Sequence, residues 1–600
     1  MDPLWLESVL RVGKKRYRVI LDGLHFSWTH LDKQNRDKKT VSVPVSELIR
    51  VEEGRVKIQP QKKVESSEHH FTVFSVKRGR CGGSSAGLWT VGRTQFSCSS
   101  RDIRDQWVTQ LRAALMEKSG SRPQRLLVFI NPYGGKKRGV QIYRTLVSPL
   151  LELAGISAHV VVTERANQAR DHILKKELTG FDGVVCVGGD GMFSELLHGV
   201  IGRTQQEAGL SEHDPTVTLQ PCNLHIGIIP AGSTDCVCFA TVGVNDPITS
   251  TLHIIIGDSQ PLDVCSVHHL NTLVRYSVSL VGYGFYGDVL AESERHRWMG
   301  PLRYDYSGCM VYLSNRSYSG TVQFLPAVPQ FSSPRDNTRC LSGCQVCSES
   351  TERLFTQSGA SSHTSSYSTS QCSQDGSQDG SQLDADWVSM EGRFRCVSLT
   401  CMSSSCPRSP LGLSPAAHLA DGTGDLILVR DADAMGFLKY LHRHTNAQDQ
   451  FDLPFVQVHR VRAVRFSLPP GEEESEEEEE EAEDIGKGTE GGEGRAEQEG
   501  ERPTRRSVSQ QHLAERGEGR GMGDYRKKKK RDFLCGPCCS RAPSVSVWNC
   551  DGEVLPCTDI LCRVHGQLVR LFARGIEDGA GTRSCRTGSR KCNGRCVLHS

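Results

Sequence analysis

The 600-residue chain has no run of about 18 or more apolar residues, the length a membrane-spanning helix needs, which argues against a span. Its first residues, Met1-Asp2-Pro3-Leu4-Trp5, show neither the basic start nor the apolar stretch of an export leader. Asp2 stands where N-myristoylation requires Gly. A surplus of one charge is also missing, because 72 Lys and Arg meet 70 Asp and Glu, a formal net charge of +2. No global field draws the chain to nucleic acid or membrane, so any such attraction has to be local. No nucleic-acid partner is expected. Cysteine, by contrast, is plentiful, with 24 residues. Without an export leader these read as reduced cytosolic thiols, some available to metal or acylation. The length implies several domains.

The chain is organised around Val184–Glu195, VVCVGGDGMFSE. A β-branched run reads as a buried strand that stops at Gly188, Gly189, Asp190 and Gly191. A helix with Leu196, Leu197 and Val200 on its apolar side follows. Adjacent glycines let a bulky anion approach the backbone, and a helix N-terminus offers it free N–H groups. Asp190 projects there as a general base or a Mg²⁺ ligand. Alone, GGDG fits a tight left-handed turn with a capping Asp equally well. The pattern recurs, however. The strand Leu126–Ile130 enters Asn131-Pro132-Tyr133-Gly134-Gly135-Lys136, and the strand Ile226–Ile229 enters Pro230-Ala231-Gly232-Ser233-Thr234-Asp235. Three strands thus bring glycine-containing polar loops to the carboxyl edge of one parallel sheet, where open α/β folds bind ligands. Between them, His159–Val162 reads as a strand leading into Thr163, Glu164, Arg165, Ala166 and Asn167. Thr163 and Asn167 fit either nucleotide contacts or a helix cap.

Residues 1–120 read as short strands closed by an amphipathic helix, Asp102 to Met116, carrying Ile103, Trp107, Leu111 and Leu115 on one face. This arrangement resembles a pleckstrin-homology domain. Lys14, Lys15, Arg16 and Arg18 are its candidate phosphoinositide contacts, with a solvated basic loop as the alternative. After Leu262 the pattern turns to β, and a helix-like stretch carries Arg297 and Arg303, either phosphate clamps or surface charges. Residues 330–390 read as a disordered insertion. At its edges lie Cys340, Cys344 and Cys347, then Cys396, Cys401 and Cys406, which could hold zinc if the two sets meet. Phe437–His444 is a basic amphipathic helix, either a core helix or a calmodulin-type or membrane-facing one. Residues 470–544, with the acidic run Glu472–Asp484 and the basic Arg526–Arg531, read as a disordered charged linker that could meet anionic lipid. Residues 578–600 read as a disordered tail. Asp551-Gly552-Glu553 reads as a hairpin turn, or as a return to the cleft.

The motifs NPxGGK, TExxN, GGDG, PAGST and DGE together resemble the catalytic domain shared by diacylglycerol and sphingosine kinases. The stretches at 186–195, 228–238 and 283–288 and Cys340-x₃-Cys344-x₂-Cys347 bring the chain nearest its ceramide kinase branch. The resemblance covers roughly residues 1–330, 394–468 and 545–577. It implies a multidomain α+β chain: a pleckstrin-homology-like barrel at 1–120, an α/β nucleotide-binding lobe at 125–260, and a β-sandwich lobe at 261–468 plus 545–577. It also implies an ATP- and Mg²⁺-dependent kinase that phosphorylates ceramide, with Asp190 as base. Asn131, Pro132, Tyr133, Thr163 to Asn167, Glu195, Gly232, Ser233, Thr234, Arg297, Arg303, Asp551, Gly552 and Glu553 would hold ATP. Gly188, Gly189, Asp190 and Gly191 would face the lipid. The third loop reads Gly-Ser-Thr-Asp where sphingosine kinases commonly carry Gly-Ser-Gly-Asn, which fits the ceramide branch. The implied location is cytoplasmic and peripheral to Golgi or plasma membrane. Rival readings are a sphingosine or diacylglycerol kinase, an NAD kinase, and a phosphoinositide-binding scaffold whose kinase domain is inactive. The DGE segment and the N-terminal domain count against NAD kinase, and intact Asp190, Asp551 and Glu553 against the scaffold.

Overall fold

Seven antiparallel strands come first: β1 (Leu6–Val12), β2 (Lys15–Leu21), β3 (His25–Leu31), β4 (Asp37–Pro44), β5 (Leu48–Glu53), β6 (His69–Arg78) and β7 (Trp89–Cys98). A computed structural model of the chain describes residues 6–31, 37–54, 69–79, 87–300, 302–327, 333–359, 387–446, 448–469 and 545–577. The charged linker and the tail expected at 470–544 and 578–600 lie outside these residues, as do residues 360–386 of the insertion. The strands order as β4-β3-β2-β1-β7-β6-β5. Their inward side chains, among them Val19, Leu21, Phe26, Phe71 and Phe96, surround Trp107 and Leu111 of the helix Arg101–Glu117. Phe71 stacks on Phe96 and on Trp107 with centroids 5.2 and 6.2 Å apart. The Ser100 hydroxyl caps the helix by accepting from Ile103 N.

A parallel sheet follows, built from β8 (Arg125–Ile130), β9 (Ser157–Val162), β10 (Gly183–Gly188) and β11 (His225–Pro230), in the order β11-β10-β8-β9. β10 is buried along its whole length, as an interior parallel strand should be. Period-two alternation divides its side chains. Val184 and Cys186 join Leu196 and Leu197 of the helix Asp190–Glu207, while Val185 and Val187 join Leu252, Ile254 and Ile255 of the helix Pro247–Ile256.

The remaining strands are β12 (Gln260–His269), β13 (Thr272–Ser277), β14 (Val281–Gly284), β15 (Tyr318–Pro326), β16 (Val388–Thr400), β17 (Gly424–Arg430), β18 (Val456–Ser467), β19 (Trp548–Cys550), β20 (Glu553–Val554) and β21 (Ile560–Leu571). β21 runs antiparallel to β12 and β18. Its last residue, Leu571, also pairs in parallel with Ile226 of β11. Phe572 N donates to Ile226 O at 2.9 Å. One hydrogen-bonded sheet therefore runs through both lobes, and the segment assigned from sequence to the second lobe alone ends inside the first.

One further expectation changes and one is narrowed. The stretch read as a disordered insertion contains the helix Gln345–Gly359, whose Thr351 hydroxyl meets the Gln567 side chain at 3.2 Å. A Ser- and Gln-rich composition hid a segment that gains its order from tertiary contact. The helix Ala434–Arg443 turns Phe437 and Tyr440 into the core. Of the readings the sequence offered, the core-facing one describes these two rings, while Met435 and Leu438 of the same helix stay exposed.

The N-terminal domain docks on the α/β lobe. Ile49, Phe74, Val76 and Trp89 share one core with Leu126, Val128 and Ile255. The Trp89 ring lies 3.9 Å from the His253 ring, and Trp89 N donates to the Thr249 hydroxyl at 2.9 Å. Around this contact, Arg78 holds Glu47 through two hydrogen bonds of 2.5 and 2.6 Å. Arg574 reaches Glu47 and Asp258, each at 2.9 Å. Such a network loses little to water because Glu47 is only 3% exposed.

Candidate active site

The three glycine loops meet at the carboxyl ends of β8, β10 and β11. Gly135, at φ +54°, lies so close to the third loop that a Cβ there would sit 2.5 Å from Ala231 O. A Cβ on Gly232 would sit 2.6 Å from Gly189 Cα. Only glycine allows this approach of three backbones. The Asn131 side chain accepts from Tyr133 N and Gly134 N at 2.9 and 3.0 Å and so shapes the first loop. Ala231 N donates to Gly188 O at 3.0 Å and ties the third loop to the second.

Asp190 is the first residue of its helix, with Gly189 at the N-cap. Its two carboxylate oxygens accept from Cys236 N at 3.1 Å and Val237 N at 3.0 Å, at the start of the helix Cys236–Val242. Burial raises its pKa against those hydrogen bonds, and the charge of Asp551 raises it further. Asp235, at φ +53°, accepts from Gly232 N at 3.0 Å. Burial first, then the charge of Asp190, push its carboxyl up to about 7. A group of carboxylates thus faces the glycine loops, and the site concentrates negative charge with hard oxygen donors.

The hairpin β19–β20 turns on Asp551 and Gly552, both at positive φ, as its Asp-Gly sequence predicts. The Asp551 carboxylate accepts from the Ser277 hydroxyl and from Val278, Ser279 and Leu280 N, at 2.7 to 3.1 Å. It clamps the β13–β14 loop beside Asp190. Glu553 accepts from Arg275 at 2.5 Å, and Arg275 also donates to the Ser194 hydroxyl at 2.9 Å. Two groups here carried no sequence signal, Arg275 and His198. Tyr276 N donates to His198 Nε2 at 2.9 Å, so the ring proton sits on Nδ1 and donates to Ser194 O at 2.8 Å. Burial lowers the His198 pKa to about 4, which keeps the ring neutral and the bridge between lobes intact.

Residues 125–267 match the diacylglycerol kinase catalytic domain, residues 6–111 the ceramide kinase PH domain, and residues 348–495 the ceramide kinase C-terminal domain. A ceramide kinase of Homo sapiens is 45% identical over 543 residues, spanning 90% of this chain and 89% of that protein. One of Mus musculus is 44% identical over 96% of this chain and 98% of its own length. One of Oryza sativa subsp. japonica is 29% identical over 68% and 81%. The chain belongs to the ceramide kinase family. Among its described residues no helix is long and apolar enough to cross a membrane.

For this ceramide kinase family member, the residues expected from sequence divide into those on the three converging loops and those on other segments. Gly188, Gly189, Asp190, Gly191, Asn131, Pro132, Tyr133, Gly232, Ser233 and Thr234 lie on the converging loops, with Tyr133, Ser233 and Thr234 exposed. Thr163 is 4% exposed, and its hydroxyl donates to Ile130 O at 3.2 Å, a bond between the ends of β9 and β8. Glu164, Arg165, Ala166 and Asn167 are exposed, and Arg165 pairs with Asp171 at 2.6 Å. Glu195 accepts from Ala169 N at 3.1 Å, at the start of the helix Gln168–Lys175. Arg297 and Arg303 both pair with Glu294, Arg303 at 3.1 Å, so the expected phosphate clamp is engaged with a local carboxylate. In the N-terminal domain, Lys14, Lys15, Arg16 and Arg18 are exposed along the β1–β2 hairpin. Arg11, absent from the expected set, lies directly across from Arg16. Arg18 pairs with Glu7 at 3.3 Å.

Proposed function

We propose that this chain transfers the γ-phosphoryl group of ATP to the primary hydroxyl of ceramide, giving ceramide 1-phosphate, with Asp190 as general base. The observation that carries the reading is the meeting of three glycine loops around one partly buried carboxylate. Phosphoryl transfer needs positioning and charge neutralisation more than covalent help. The loop backbones supply the positioning, since close glycines leave N–H groups free to approach phosphate oxygens. Asp190 would take the hydroxyl proton as the lipid oxygen bonds to phosphorus and ADP departs. Its raised pKa makes it a better proton acceptor than an ordinary carboxylate. The likeness to ceramide kinases over nine-tenths of the chain supports ceramide over sphingosine or diacylglycerol.

The donor set fits Mg²⁺, a hard cation that takes oxygen ligands. Asp235, beside Asp190, is the residue that would hold it, which leaves Asp190 free as the base. Bound there, it would offset charge on the transferring group. Lys14, Lys15 and Arg16, with Arg11 opposite, are proposed to seat the chain on a phosphoinositide-bearing cytoplasmic membrane surface, Golgi or plasma membrane, where a ceramide substrate resides.

The test is labelled ATP and Mg²⁺ with ceramide, diacylglycerol and sphingosine offered in parallel mixed micelles. Label in the ceramide product alone is the expected result. Label in another lipid corrects the substrate. ATP binding without label in any lipid replaces the kinase reading with a scaffold.

A further inference from the structure

Three cysteines and one histidine far apart in sequence meet away from the active site. The Cys340, Cys344 and Cys347 sulfurs and a ring nitrogen of His418 all lie within 4.8 Å of one another. Cys340 Sγ is 3.6 Å from Cys347 Sγ, and Cys344 Sγ is 3.3 Å from His418 Nδ1, though these last two residues are 74 positions apart. Thiolate–zinc bonds of about 2.3 Å place tetrahedral sulfurs roughly 3.8 Å apart, and a sulfur and an imidazole nitrogen roughly 3.6 Å apart. The 3.6 and 3.3 Å separations lie just under those edges, and the remaining ones stay within 4.8 Å. Cys340, Cys344 and Cys347 are all free thiols. His418 is 1% exposed, and its Nε2 has no hydrogen-bond partner among the described residues. Its other nitrogen faces the thiols. The cluster thus presents three sulfurs and the imidazole Nδ1 to one another, and a metal held there would leave the ring proton on Nε2.

We infer that Cys340, Cys344, Cys347 and His418 form a structural zinc site of the Cys₃His type. Four protein ligands fill a tetrahedral site and leave no open position, so the metal takes no part in the phosphoryl transfer. The three thiols lose their protons on binding and His418 binds as the neutral ring. The second cysteine set expected from sequence does not contribute. Cys396 and Cys401 are buried in two other core clusters, and the fourth ligand comes from the loop before β17. The site pins the start of the helix Gln345–Gly359 to that loop. It also borders the docking seam of the N-terminal domain. Asp258, Ser342, Cys344, Cys347, Thr351 and Arg574 line one cavity of about 250 Å³, and Ser342 N donates to Ile576 O at 2.8 Å.

The full-length chain, expressed without a histidine tag and purified under reductant, is expected to carry about one zinc per molecule by elemental mass spectrometry. Exchange with Co²⁺ should give the intense visible bands of tetrahedral cobalt and near-ultraviolet thiolate charge transfer. Cys344→Ser should lose most of the metal. His418→Cys should retain it with a spectrum shifted toward four thiolates. Cys309→Ser, at an exposed thiol, should retain it unchanged. Should Cys344→Ser fail to fold, mercurial titration of the parent chain decides the matter, because modifying the thiols should release the zinc in step. A zinc-free parent, a Cys340–Cys347 disulfide in its place, a cobalt spectrum without thiolate charge transfer, or full zinc retention in Cys344→Ser would each overturn the inference.

Discussion

Arg275 donates to the Glu553 carboxylate at 2.5 Å and, through its other terminal nitrogen, to the Ser194 hydroxyl about one helical turn beyond the second glycine loop. The ion pair itself is half in water, with Glu553 55% exposed. Such a pair contributes about 0–1 kcal/mol to stability. Its value lies in positioning the hairpin against the helix that begins at Asp190. Arg275→Ala is expected to lower turnover roughly 10–100-fold through misplacement, while the melting temperature moves only slightly. Steady-state kinetics beside a thermal melt check this, and unchanged turnover would remove Arg275 from the site.

Asp190→Asn keeps one of the two acceptor oxygens that Cys236 N and Val237 N use, places an amide donor at the other, and removes the proton-accepting charge. The expected result is a loss of roughly 10²–10⁴-fold in turnover with ATP still bound, the range for a missing general base. Turnover near that of the parent would end the assignment.

Stability should carry the signature of Asp235. Its carboxyl ionises near 3.8 when unfolded and near 7 when folded. Between those values the folded chain binds the extra proton. The contribution of this group is therefore full below about pH 4 and is lost as pH rises through about 7. Asp235→Asn still accepts from Gly232 N but no longer titrates. Measured without nucleotide, its melting temperature relative to the parent should rise between pH 5 and pH 8. A constant offset across that window would contradict the raised value.

Trp89 carries the docking of the N-terminal domain. Its ring lies against His253, its indole N–H donates to Glu577 at 2.9 Å, and it is 1% exposed. Trp89→Ala should cost about 3–5 kcal/mol of stability. It should also speed limited proteolysis between the helix Arg101–Glu117 and β8. Unchanged cleavage there would mean that the seam does not depend on this ring.

The β1–β2 hairpin offers a salt-sensitive test. Lys15→Glu with Arg16→Glu should weaken binding to phosphoinositide vesicles at least tenfold, because each basic side chain contributes about 1 kcal/mol near an anionic surface. Vesicle sedimentation at two salt concentrations reads the effect. Equal binding by parent and variant would leave these side chains as a solvated loop.

The glycine loops were legible because their signal is local. A β-branched run, adjacent glycines and a helical repeat lie within about a dozen residues, and each dictates the backbone on steric grounds. The Asp551-Gly552 turn was legible for the same reason. Sequence left Thr163 open between a nucleotide contact and a helix cap, because it does not say which way a strand-end hydroxyl points; that hydroxyl donates to Ile130 O. Arg297 and Arg303 looked like a phosphate clamp, and Glu294 takes both.

By itself the amino-acid sequence determined the strands and helix around the glycine loops, the positions of those phosphate-type loops, the domain order and the likeness to one kinase family. Only the tertiary structure decided that β21 joins both lobes, that Asp551 clamps a loop beside Asp190, that Arg275 and His198 bridge to Ser194, and that His418 completes a cysteine cluster. The physical reason is range. Backbone conformation follows from sterics and hydrophobic period over a few neighbouring residues. Partnership between side chains tens to hundreds of positions apart depends on burial, and burial exists only once the chain has closed on itself.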